Sequence, residues 1–108
     1  MPRFLYLLPP VTAPAAVTEW VARHAAAGVV RSGARVEPGA RLERSDGVVT
    51  VGDAVARWGF LVVEAEDARA ALAIAASCPG TDPGTIELYR LDATDTVDEA
   101  PADAATLR

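Results

Sequence analysis

At 108 residues, 51% hydrophobic and 23% charged, the chain has the size of one small domain with a single core. Its formal charge of −5 is concentrated at one end, where 92–108 carries five acidic residues against one arginine. Met1–Leu91 is therefore close to neutral and offers neither a basic face for nucleic acid nor a polybasic stretch for an anionic membrane. Ten arginines and no lysine exclude Schiff-base and general-base chemistry by lysine.

The elements follow in chain order. Phe4–Leu8 is short, apolar and aromatic, too short for the core of a signal peptide, and Pro9-Pro10 ends it; it reads as the first strand, running from Arg3. Thr12 is the expected cap of a helix whose first turn tolerates Pro14, and Val17, Trp20, Val21, His24, Ala25 and Gly28 follow the 3.6-residue period. Val29–Val36 reads as a strand. Ala40–Arg44 and Val48–Val51 flank Ser45-Asp46-Gly47, a strong hairpin signal. Phe60–Glu64 is a strand, Asp67 caps a helix over Ala68–Ser77, and Pro79-Gly80 and Pro83-Gly84 return the chain into a last strand, Thr85–Leu91. The segment 92–108 has few groups able to bury area and is expected to be a disordered acidic tail. No apolar run reaches the roughly 20 residues of a bilayer span, so no membrane partner is expected. One cysteine and no export signal point to a reducing cytoplasm.

This order predicts an α+β domain, a ferredoxin-like sandwich with two helices on one face of a mainly antiparallel sheet. Leu5, Leu7, Phe60, Val62, Ile86 and Leu88 are expected on the other face, where they need cover. A second copy of the chain is the expected partner, giving a homodimer through the sheet face with a cleft between helices, hairpin and shared core.

The residues Phe4–Leu8, Ala26-Ala27-Gly28-Val29-Val30, Asp46-Gly47-Val48-Val49-Thr50-Val51, and Gly59-Phe60 through Ala76-Ser77-Cys78-Pro79-Gly80 with Ile86-Glu87-Leu88-Tyr89-Arg90 give most of Met1–Leu91 a likeness. The chain resembles the YCII-related proteins, including their DGPF branch, and this resemblance implies a dimeric α+β barrel. The DGPF motif is absent near Val51-Gly52-Asp53-Ala54, where it would fall. No histidine stands near Val17 or Thr18, the place of the helix histidine in some YCII-like proteins, so that role is not carried to His24.

His24 is the one histidine and the side chain best suited to acid or base work near neutrality; one turn after Trp20, it is either a packed ring or a ligand contact. Arg31 and Arg35, four apart on a regular strand, would share a side and could clamp a carboxylate or phenolate, or lie solvated against Glu37, Glu43 or the tail. Trp58 beside Arg57 suits a pocket rim or a dimer seam. Tyr6 and Tyr89 are candidate proton donors or packed phenols. Cys78, before a proline at a helix end, reads as structural. A lone histidine and a distant cysteine lack metal-ligand spacing, and no cofactor is expected.

Two functions fit. The first is a cofactor-independent enzyme, of isomerase, lyase or cyclase type, that moves a proton on a hydrophobic or aromatic oxygenated metabolite, with His24 as acid or base and Trp20, Arg31, Arg35, Trp58 and Tyr6 binding the substrate. The second is a non-catalytic dimeric module that binds a metabolite or another protein.

Overall fold

A computed structural model describes residues 1–92. Apart from Asp92, the tail expected to be disordered lies outside the described residues. Within the described residues, six strands and two helices follow in the order β1 (Arg3–Leu8), α1 (Pro14–Ala26), β2 (Val30–Arg35), β3 (Ala40–Ser45), β4 (Val48–Asp53), β5 (Gly59–Glu64), α2 (Ala68–Ala76) and β6 (Glu87–Arg90). A four-stranded antiparallel sheet has the order β2-β5-β1-β6, and β3 and β4 pair with each other as a separate arm. The parallel strands β1 and β2 are split by β5, and β5 and β6 by β1, so two interlocked βαβ units build the ferredoxin-like plan. Neither described helix is long and apolar enough to cross a membrane.

Period-two alternation assigns the faces. Phe4, Tyr6 and Leu8 point with Leu61 and Val63 toward the helices, where Val17, Trp20, Ala71, Ala75 and Cys78 close the core. Leu5, Leu7, Phe60 and Val62 occupy the opposite face, on which no other described element packs, and are half-buried. Ile86 and Leu88 do not join them. Leu88 stands opposite Tyr6 and so turns to the helix side, where both residues pack on the core; Glu87 and Tyr89 take the open face instead. The last strand is thus out of phase with the expectation that placed Ile86 and Leu88 outside.

Local chemistry explains the helix ends. The cap expected at Thr12 is not formed, because Ala13 occupies the N-cap without a side-chain bond. Thr12 instead donates to the Gly80 carbonyl through its backbone N–H (2.9 Å) and its hydroxyl (3.3 Å), tying the start of α1 to the end of α2. At the other end of α1, Gly28 takes φ +79°, letting the Val29 N–H reach His24 O (2.9 Å) and its own N–H reach Ala25 O (3.0 Å), a Schellman closure. Asp67 caps α2 as expected, its carboxylate accepting from the Ala70 N–H at 2.8 Å.

The strand β2 carries one irregularity that matters for the site. Val30 stands opposite Val63 but Ser32 opposite Val62, so Arg31 is an extra residue in a β-bulge. From there Ser32 and Ala34 follow the open face, and Gly33 and Arg35 the helix side.

Candidate functional site

The bulge separates the two arginines expected to act as a clamp. Arg31 leans to the open face, its Nε 3.8 Å from a Glu64 carboxylate oxygen that also takes the Arg3 Nε at 3.3 Å. Arg35, on the other side, sets its guanidinium carbon 5.6 Å from the centroid of the Trp58 ring, a cation–π contact. The same-side expectation held for a regular strand, and the inserted residue removes that premise.

Tyr6 and Trp20 lie in the core, and their polar tips are already engaged. The Tyr6 hydroxyl donates to the Ala71 carbonyl of α2. Burial, the main cause, pushes its phenol from 10.0 up to about 12. A raised folded value means that the protonated phenol stabilises the fold fully below pH 10, and that this contribution drains away as pH climbs through about 12. Wild-type protein should therefore lose about 2 kcal/mol more unfolding free energy than Tyr6→Phe between pH 9 and 12, read by urea titration. Parallel pH profiles for the two proteins would refute this. Trp20 donates its indole N–H to Ser77 Oγ at 3.0 Å, and that hydroxyl donates on to the Ile74 carbonyl at 2.6 Å, so one chain of bonds joins the two helices.

His24 stacks on Trp20 with ring centroids 4.2 Å apart at 37°. Its Nδ1 lies 2.8 Å from the Trp20 carbonyl oxygen. A carbonyl only accepts, so Nδ1 carries the proton and, in the neutral ring, Nε2 is the nitrogen left for any other contact. Cys78 is buried, and burial raises its thiol, as a structural cysteine requires.

One concavity lies elsewhere. A half-open groove of about 740 Å³ runs along the root of the β3–β4 arm. Val36, Pro38, Ala40, Ala54 and Val55 give it an apolar floor, and Glu37, Arg41, Asp53 and Arg57 give it charge of both signs. His24, Trp20, Tyr6, Arg31, Arg35 and Trp58 are not among its walls. Trp58 is nonetheless contiguous with it: it follows the wall residue Arg57, and its carbonyl accepts from the Val36 N–H at 3.1 Å. Its Nε1 is buried without a hydrogen-bond partner among the described residues. An unsatisfied buried donor costs about 1–3 kcal/mol.

From the groove, Arg57 reaches to the open face, donating to Glu87 Oε1 at 2.9 Å, while the Tyr89 hydroxyl donates to Glu87 Oε2 at 2.7 Å. The bond from Tyr89, and then that from Arg57, holds the Glu87 carboxyl below its ordinary range; the Glu87 carboxylate in turn raises the Tyr89 phenol. Sequence reasoning passed over Glu87, although its spacing of two from Tyr89 on one strand signals a shared face. Glu37 and Asp53 as groove walls had no such signal, since they meet only when the arm closes. No protein-family model and no curated protein matches the chain.

Proposed function

We propose that the protein is a non-catalytic homodimeric binding module, diverged from the YCII-like plan and working in the reducing cytoplasm, that takes a small anionic ligand with an apolar body. The carrying observation is the orphaned Trp58 Nε1–H, with the Arg35 guanidinium against its ring, at the edge of an apolar groove. A carboxylate or phenolate supplies the charge that Arg35 attracts, and it meets the unpaired donor once the buried indole turns toward the groove. An apolar ligand body suits the floor of Val36, Pro38 and Val55, and about 740 Å³ is within the usual range for small-molecule sites. Support for binding over proton transfer comes from His24, which shares no wall with the groove and is held by its own helix.

The dimer half of this reading rests on the open face. Leu5, Leu7, Phe60 and Val62 form an apolar strip between Arg3–Glu64–Arg31 and Arg57–Glu87–Tyr89. A strip with a charged rim on both sides has the anatomy of a two-fold interface.

Sedimentation equilibrium with an NMR titration tests both halves. Wild type should dimerise, and Leu7→Arg should weaken the dimer roughly 100-fold or more by burying two unpaired cations at the seam. Phenylacetate should shift amides in 36–41 and 53–58 in wild type and His24→Ala alike. Shifts centred on His24 and abolished by His24→Ala would return the protein to the proton-transfer class.

A further inference from the structure

Among the described residues the β3–β4 arm has no backbone pairing outside itself beyond its root, and all its residues are exposed. A lone two-stranded hairpin is marginal in water. One face of this arm is nevertheless apolar at its centre. The register puts Ala40 with Asp53 at the base, Leu42 with Val51 in the middle, and Arg44 with Val49 toward the Asp46-Gly47 turn, all on the same side. Leu42, Val49 and Val51 are 55%, 51% and 70% exposed. Among the described residues neither Arg44 nor Asp53 has an ion-pair partner, whereas on the opposite face Arg41 is held by Glu43 at 2.8 Å.

That pattern is complementary to itself. We infer that the Leu42/Val51 face of the arm packs against the same face of a second copy, antiparallel, across a two-fold axis near that middle row. In this arrangement the tip row of each arm lies over the base row of the other, so Arg44 of each copy reaches the partner's Asp53, and the ion pair forms twice. A parallel arrangement would bring the two Arg44 side chains together, so charge selects the antiparallel one. A partner of different sequence would need the mirrored order of charge, which this face already supplies to itself.

The inference rests on the homodimer proposed above and adds a second contact to it, distant in sequence from the sheet strip. Charge reversal in the full chain tests it by sedimentation equilibrium at low salt. Arg44→Asp and Asp53→Arg should each weaken the dimer roughly tenfold, since each turns two attractions into repulsions, and the double variant R44D/D53R should recover to within about threefold of wild type by the same reckoning. Single variants as tight as wild type, or a double variant weaker than either single, would overturn the arm contact. The sheet reading fails separately: arm variants that dissociate the dimer while Leu7→Arg leaves it intact would remove the sheet seam and keep the arm. A wild type that stays monomeric at every concentration removes both. Unchanged far-UV circular dichroism checks that the exposed substitutions leave the fold in place.

Discussion

Replacing Trp20 with alanine should lower the unfolding free energy by about 3–5 kcal/mol, the range for deleting a large buried aromatic. Trp20 is only 2% exposed and leads the fully buried side chains by volume. The cost has three sources on the same ring: lost core volume, loss of the donor to Ser77 Oγ, and loss of the surface on which His24 stacks. Against a typical total of 5–15 kcal/mol, such a loss brings a domain near its limit. Trp20→Phe keeps an aromatic ring and should cost about half as much, still losing the bond to Ser77. Urea unfolding followed through Trp58, the other tryptophan, reads both variants. A loss under about 1.5 kcal/mol for the alanine variant would mean that the core repacks around the gap.

Gly59→Ala should be the next most damaging change, at about 2–3 kcal/mol for one added methyl group. Gly59 opens β5 between β1 and β2, paired with Leu8 on one side and Arg35 on the other. A β-carbon there would overlap the Ala34 carbonyl oxygen and come within 3.0 Å of the Arg35 Cα, both backbone atoms of β2. Backbone cannot swing aside as a side chain can, so the end of β2 must move away from β5. The same displacement would pull Arg35 from Trp58 and tilt the groove. Thermal melts together with the intensity of Trp58 fluorescence would register the two effects; a melt unchanged from wild type would show that β2 has slack which the register denies it.

Much of the architecture was legible because local signals and global plan agree. The alternation in Phe4–Leu8 and Phe60–Glu64, the turn at Ser45-Asp46-Gly47 and the cap at Asp67 each name one element, and the order of elements leaves few topologies. The misses have physical causes. Thr12 has the chemistry of a cap, but the Gly80 carbonyl claims it across the fold. Ile86 and Leu88 are apolar like the open strip, but only pairing with β1 decides which side they take. The site was less legible. A side chain's chemistry suits a core as well as a cleft: Tyr6 and Trp20 spend their polar atoms on the helices. The groove at the arm root joins 36–41 to 53–57, a meeting set by hairpin closure and not by any residue's type.

The single unpaired step at Arg31 reaches further than its size suggests. A strand's parity is a two-state variable, and one surplus residue flips it for everything downstream. Without it, Arg35 would emerge among Leu5, Leu7 and Phe60, charging the very strip that is otherwise greasy, and would leave the indole bare. One amino acid thus acts as a phase switch, keeping the Arg35 guanidinium and the oil on opposite banks of a sheet.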